Sequence, residues 1–331
     1  MIITYFRSSS YTTWDFCPMS YFLQYVLGLY SKPNKKTEIG TVVHKGLEVL
    51  GCAKKALVEK KTSITDDAIG VVGVDSVLFS DTFVDYVVDK SFDYYTSKSP
   101  NSFSEDDREE CKALTHKVTD GMFDPRKLDI VNPEAAFDIP IDAPWAHYDY
   151  TLPNGERMEG QLSIKGTIDL CVRSSDFLIE LIDWKSGRFW DWGKNCAKTF
   201  DSLNNDPQML IYFWAIHHIY HKVAKQFMIT IYYIRNEGPI TLSLTDNKLI
   251  QCEEMIRKRF ELIKDTRTPR CNKTWKCKSF CHFGKTPHPN GNGETICQYI
   301  EAKLAKKGAA VVMAEDTCPG HTIGKYAAPG A

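Results

Sequence analysis

Asp183 and Lys185 stand two residues apart at the end of Phe177 to Ile182, an apolar run interrupted only by Glu180. Side chains along a strand repeat with period two, so a carboxylate and an amine at that spacing leave the same face. Leu162 to Val172 is a second stretch rich in β-branched and apolar residues, and Arg173-Ser-Ser-Asp176 reads as the turn between the two. A hairpin is predicted, and Asp169 on its first strand reaches the same spot if the register allows. Two carboxylates beside a lysine suit a hard divalent cation bound through oxygen, with the amine positioning or helping to deprotonate a water that attacks a phosphodiester. Taken alone, Asp-x-Lys is far more often a surface salt bridge.

The elements around this pair change its meaning. Pro207 is placed as the first residue of a helix capped by Asp206, since proline needs no backbone donor there. Gln208 and Tyr212, four apart, share a face of that helix. Upstream, Gly40-Thr-Val-Val-His44 opens another helical stretch with a single histidine one turn in. A helix-borne histidine, Gly-x-x-Asp, Asp-x-Lys and Gln-x-x-x-Tyr stand in that order as His44, Gly166 to Asp169, Asp183 with Lys185, and Gln208 with Tyr212. The ordered set resembles the RecB-type branch of the PD-(D/E)xK nuclease superfamily.

That resemblance implies an α/β fold, a restriction-endonuclease-like mixed central sheet flanked by helices. It implies Mg²⁺ or Mn²⁺ held by His44, Asp169, Asp183 and the backbone carbonyl of Trp184. Lys185 would orient the attacking water or stabilise developing charge, and Gln208 and Tyr212 would orient the DNA backbone or the lysine. The implied activity is a DNA exonuclease of recombination, repair or replication, acting on DNA with free ends alongside a helicase or single-strand annealing protein. A structure-selective endonuclease and a non-catalytic DNA-binding protein are the alternatives. Compact nucleases of this type are similar to those of bacteriophages, which would place the chain in a host cytoplasm.

A formal net charge of −1 gives no overall attraction to nucleic acid, so any DNA-binding surface must come from local clustering of Lys and Arg. The first ten residues lack the basic segment and apolar core of a signal peptide, and the longest apolar run, Met209 to Ile216, is too short to cross a bilayer. A cytoplasmic protein with no membrane association is expected. Its eleven cysteines then read as thiols or metal ligands rather than disulfides.

Cys271, Cys277, Cys281 and Cys297 fall within one stretch and could by themselves form a local zinc site. The N-terminal Ser8-Ser-Ser10, Cys17-Pro18 and Tyr21-Phe22 segment resembles the start of the iron–sulfur RecB-type nucleases, a branch that includes CRISPR-adaptation and AddB-like proteins. In that branch a first cysteine near the N-terminus joins three near the C-terminus. The resemblance implies a [4Fe–4S] cluster on Cys17, Cys277, Cys281 and Cys297 that staples the chain ends. The Cys277-x-x-x-Cys281 spacing is one residue longer than the usual pattern, and a turn-rich insertion, Pro287 to Gly293, precedes Cys297.

The expected organisation is a single nuclease domain over residues 1–310, with a helical insertion at 53–131 and a flexible tail from 311 to 331. Glu134 is a candidate accessory acid near an early strand, although a structural role is the simpler reading. Arg188 to Lys194 interleaves aromatic and basic residues, among them Trp190 and Trp192, that could stack single-stranded bases. His217 and His221 have metal-ligand spacing but no evident third ligand, and Cys318 with His321 reads as an incidental pair.

Overall fold

The computed structural model describes residues 1–74, 80–191, 196–236 and 238–325. The chain divides into two compact units, each assembled from separated segments. The first contains residues 1–32, 137–166 and 250–331, the second residues 33–136 and 167–249.

In chain order the elements begin with β1 (Tyr5–Phe6), α1 (Ser8–Phe16), α2 (Pro18–Tyr21) with a following π-helical turn, and α3 (Lys35–Val58). Next come β2 (Ser63–Asp66), β3 (Gly70–Gly73), α4 (Asp81–Lys98), α5 (Glu105–Thr119) and β4 (Ile130–Pro140). The strands β5 (His147–Thr151), β6 (Arg157–Gln161), β7 (Ser163–Ser175), β8 (Leu178–Lys185), β9 (Trp190–Asp191) and β10 (Cys196–Ala197) follow. The chain continues with α6 (Phe200–Asn204), α7 (Pro207–Tyr220), β11 (Gln226–Tyr233), β12 (Gly238–Ser243) and α8 (Asp246–Asp265). It closes with α9 (Trp275–Ser279), α10 (Ile296–Lys307) and α11 (Ala309–Asp316).

The second unit is built on a mixed sheet. β7 and β8 pair antiparallel, with Leu170 opposite Ile182 and Cys171 opposite Leu181. β11 pairs parallel with β8, with Ile231 opposite Asp183 and Tyr233 opposite Lys185, and β12 pairs antiparallel with β11. The hairpin expected from the sequence is present, but β7 extends through Ser175 and the turn shrinks to residues 176–177. β8 has a neighbour on each side, which fits its nearly continuous apolar run.

α3 starts at Asn34, whose side chain accepts the Thr37 N–H at 3.0 Å and satisfies one of the free donors of the first turn. Ile39, Val42, Val43 and Leu47 then recur at helical spacing. They form one core with Val88 of α4, Leu114 of α5, and Leu170, Ile182 and Trp184 of the strands. This packing fixes α3 beside the ends of β7 and β8. α7 begins as expected, with Pro207 in its first turn and Asp206 Oδ1 accepting the Gln208 N–H at 2.8 Å.

In the first unit the turn around Gly155 joins β5 and β6 as an antiparallel hairpin, and Gly155 takes the left-handed backbone conformation (φ +86°) that glycine adopts without steric cost. Residues 309–316 overlap the stretch read as a flexible tail from 311, yet they form helix α11. Val312 is fully buried, and Lys303 of α10 holds Asp316 at 2.7 Å. Those contacts outweigh the Gly- and Pro-rich composition after Lys307 that reads as a tail. No described helix is long and apolar enough to cross a membrane.

Candidate active site

Three elements of the second unit converge on two carboxylates. The register that sets Leu170 against Ile182 carries Asp169 to a position against Asp183 one step further. Asp169 Oδ2 accepts the Trp184 N–H at 3.0 Å, and His44 Nδ1, brought in by α3, lies 3.3 Å from the same oxygen. The imidazole is thereby oriented through Nδ1, which leaves Nε2 to face a ligand.

Asp183 is 1 % exposed. Its Oδ1 accepts from the Lys185 ammonium at 3.0 Å. Its Oδ2 lies 2.7 Å from the same nitrogen but off the direction of a hydrogen bond, so it is a buried oxygen with none. The ammonium also donates to Gln208 Oε1 at 3.3 Å. Gln208 Nε2 donates to the Tyr212 hydroxyl at 3.0 Å, and that hydroxyl donates to the Thr167 carbonyl at 3.2 Å. The motif residues 185, 208 and 212 are thus one hydrogen-bonded chain anchored on the backbone of β7.

The charges are not independent. Burial disfavours ionising either carboxyl, yet the neighbouring His44 outweighs it at Asp169, whose pKa is lowered. At Asp183 burial dominates; Lys185 opposes it, the charge on Asp169 adds to it, and the pKa is raised. Burial works against a charged His44 and a charged Lys185 as well. Asp169 reverses this for the histidine, and Asp183 followed by Asp169 does so for the lysine, so both bases have raised pKa values. Two like charges in a small space separate into one acid held ionised and one pushed toward its neutral form.

The donor set fits a hard divalent cation. Carboxylate oxygens and one imidazole suit Mg²⁺ or Mn²⁺, and the Asp183 oxygen without a hydrogen bond is the kind of atom that an ion satisfies. Among the described residues, ligand atoms from three such side chains meet within 4.8 Å of one another at Asp81, His116 and Asp120, on α4 and α5, and not at His44, Asp169 and Asp183. In the candidate active site the Lys185 ammonium is lodged on Asp183.

The sequence profile of the PD-(D/E)XK nuclease superfamily matches residues 8–285. The chain belongs to this nuclease superfamily. Its mixed sheet flanked by helices is the fold expected of a PD-(D/E)XK nuclease. No curated protein sequence matches the chain. Among solved structures, it is similar to a "Putative exonuclease" from Eubacterium rectale, at 11 % identity and a TM-score of 0.44, over 84 % of this chain and 88 % of that one.

Two acids gain a setting beside the candidate active site: Glu134, already a candidate accessory acid, and Glu48, which the sequence did not single out. Glu134 lies in β4 with a left-handed backbone (φ +43°), a conformation unusual for a residue other than glycine. Burial, then Asp169 and Glu48, push its carboxyl up to about 8. It therefore belongs to the electrostatic neighbourhood of the active site, where a structural role had seemed simpler. Glu48 stands one turn after His44 on α3, and burial raises its pKa too, although Lys45 pairs with it at 2.8 Å. The i, i+4 relation to His44 was a signal for Glu48, whereas no sequence pattern announces the backbone conformation of Glu134.

The cysteines lie in the first unit. Cys17 and Cys277 are close enough to Cys281 to raise its pKa, although burial contributes most; the N–H groups of Gly284 and Phe283 hydrogen-bond to it and pull the other way. Cys297 differs from the expected quartet. Its sulfur meets that of Cys271, against the expectation that no cysteines pair, with their Cα atoms 7.5 Å apart. That separation exceeds the range of about 4.4–6.8 Å usual for disulfides.

The remaining candidates do not join the site. Trp190 is half-buried in β9, which pairs with β10, while Trp192 and Lys194 lie outside the described residues. His217 and His221 stack with ring centres 5.6 Å apart, and the described residues supply no third metal ligand.

Proposed function

We propose that the chain is a metal-dependent DNA exonuclease. The observation that carries this reading is the hydrogen-bonded line from Asp183 through Lys185 and Gln208 to Tyr212, set beside the Asp169–His44 pair. A surface salt bridge has no need of a half-buried glutamine and a buried tyrosine to hold its lysine.

A bound Mg²⁺ or Mn²⁺ would polarise the scissile phosphate and lower the pKa of a coordinated water. Asp169, Asp183, His44 Nε2 and the Trp184 carbonyl would hold it. Asp169 positions His44 through Nδ1 and is itself fixed by the Trp184 N–H. Lys185, aimed by Gln208, would orient the nucleophile and donate to the oxygen on which charge develops. Tyr212 keeps the glutamine from rotating.

The same reading takes Cys17, Cys277, Cys281 and Cys297 as ligands of a [4Fe–4S] cluster. It is supported by the proximity of Cys17 and of Cys277 to Cys281 and by the N–H groups that hydrogen-bond to Cys281, since hydrogen bonds to sulfur are one means by which proteins tune such clusters. Anaerobic purification should yield a brown protein containing iron and sulfide; a colourless protein with stoichiometric zinc would replace the cluster by a zinc site.

The decisive assay is digestion of 5′- and 3′-labelled single- and double-stranded DNA with Mg²⁺, Mn²⁺ or EDTA. Release of mononucleotides or short fragments from ends, only with metal, is expected. Cutting of covalently closed circles would make the enzyme an endonuclease, and no hydrolysis under any condition would leave a binding protein.

A further inference from the structure

A surface of the first unit has the composition that the chain as a whole lacks. From Arg267 to Lys285 the sequence holds six Lys or Arg and no Asp or Glu, in a protein of formal net charge −1. Lys273 has Glu301 within 3.5 Å, and Lys285 donates to the Ser279 carbonyl at 2.8 Å. Among the described residues Arg267, Arg270, Lys276 and Lys278 have no carboxylate partner. Local structure therefore does not neutralise this charge.

Two large aromatic rings lie among these cations. Trp275 is 58 % exposed and Phe280 59 % exposed, on either side of the α9 turn, with ring centres 5.4 Å apart and planes at 65°. Rings of this size normally leave water by joining a core, as Phe283 does three residues later at 1 % exposure. Beside Phe280 opens a cavity of about 360 Å³, lined in part by Thr12, Ser20, Gln24, Ser31 and His282. Ser20 is itself buried, and Gln24 Nε2 donates to its hydroxyl at 2.9 Å, leaving the amide oxygen of Gln24 as an acceptor.

We propose that this face binds single-stranded DNA. Trp275 and Phe280 stack on unpaired bases, the cations of 267–285 meet phosphates, and the hydroxyl- and amide-lined cavity next to Phe280 receives one base or its sugar. Duplex DNA offers phosphates but keeps its base faces stacked on one another, so it cannot use the rings. Stacking on aromatic side chains together with a cationic groove is the general means by which proteins hold a single strand irrespective of sequence. The choice of DNA over RNA rests on the nuclease reading above; the geometry of the face does not.

The test is fluorescence anisotropy of labelled oligo(dT) and of a blunt duplex of the same length, in EDTA so that hydrolysis plays no part. Trp275→Ala/Phe280→Ala should weaken single-strand binding at least about tenfold with little change for the duplex. Trp275→Phe should retain most of the affinity. Arg267→Gln/Arg270→Gln/Lys278→Gln should reduce the slope of log Kd against log salt by about 2, for three phosphates at about 0.7 each. Phe177→Ala, an equally exposed ring on the turn before β8, should change nothing.

Unchanged affinity and salt slope in both multiple variants would overturn the proposal, as would equal losses for single strand and duplex. Melting curves guard against unfolding of α9, and Arg267 and Arg270 lie outside that helix. Hydrolysis is read separately with Mg²⁺ on the wild type. A protein that digests DNA but ignores these substitutions refutes the surface alone, and one that binds as described without digesting DNA refutes the nuclease reading alone.

Discussion

Two lysines of the second unit sit among acids and behave differently. Lys45, on α3, bridges Glu48 at 2.8 Å and Asp66 at 3.0 Å. Burial disfavours its charge, but these two partners prevail and its pKa is raised. Lys185, at the end of β8, shares its ammonium between Asp183 and a neutral glutamine, beside an Asp183 oxygen that has no hydrogen bond. The first arrangement is satisfied and holds α3 to the β2–β3 hairpin. The second leaves one carboxyl displaced toward neutrality, with an oxygen held by an ion pair alone and no hydrogen bond, a charge balance open to a ligand. On the proposed reading, identical side chains serve structure in one place and chemistry in another, according to whether their partners close the charge balance.

Substitutions can break that contrast. The largest effect is expected for Lys185→Ala, which should lower single-turnover DNA cleavage by about 10³-fold or more and, by leaving buried Asp183 without its cation, cost about 1–3 kcal/mol of stability without unfolding the protein. Measuring both in one preparation is essential. A variant that unfolds instead would make Lys185 a structural residue like Lys45. Lys45→Ala should show a similar stability loss in urea denaturation, about 1–3 kcal/mol as Glu48 and Asp66 are left without their cation, but with turnover changed by less than about tenfold. A lysine with a raised folded pKa contributes fully below its unfolded value, so that loss should stay constant from pH 6 to about 10 and fade only at higher pH.

Smaller effects sharpen the comparison. Gln208→Ala removes the neutral group that aims Lys185 and should slow cleavage by about 10- to 100-fold, with DNA binding in EDTA unchanged. Glu134→Gln provides the pH test. Because the Glu134 carboxyl is raised to about 8, the folded state holds a proton that the unfolded chain releases near 4.3, so this group makes stability fall as pH rises between those values. The glutamine variant should therefore be more stable than the wild type above pH 8 by about 1 kcal/mol or more, and the gain should disappear near pH 4. Mn²⁺ should narrow the gap above pH 8 if Glu134 lies within reach of the cation; equal melting shifts in both proteins would separate it from the metal site.

Much of this was legible in the residues. The β7–β8 hairpin followed from two apolar runs, and the start of α7 from Asp206-Pro207, because strand periodicity and helix capping act over a few residues. The grouping of His44, Asp169, Asp183, Lys185, Gln208 and Tyr212 came from their order, and the fold brought them together around the ends of β7 and β8. Elsewhere local signals misled. The Gly- and Pro-rich composition after Lys307 reads as a tail, yet its first stretch, residues 309–316, is rich in the helix former Ala, and contacts from Val312 and Asp316 hold it as α11. Cys297 met Cys271, a pairing that spacing cannot foresee because it depends on the path of the intervening Pro287–Gly293 loop.

What the sequence determined by itself was the chemistry on offer: two carboxylates, an amine and an imidazole on elements whose periodicity aims them, and a run of cations without acids from Arg267 to Lys285. Only the tertiary structure decided how those groups share their protons and partners. Lys185 became linked to Tyr212 through Gln208, one Asp183 oxygen was left with an ion pair but no hydrogen bond, Glu134 was drawn toward Asp169, and Trp275 and Phe280 stayed in water. The physical reason is range: capping and strand alternation are settled between near neighbours, whereas desolvation and Coulomb coupling depend on distances between segments that only folding sets.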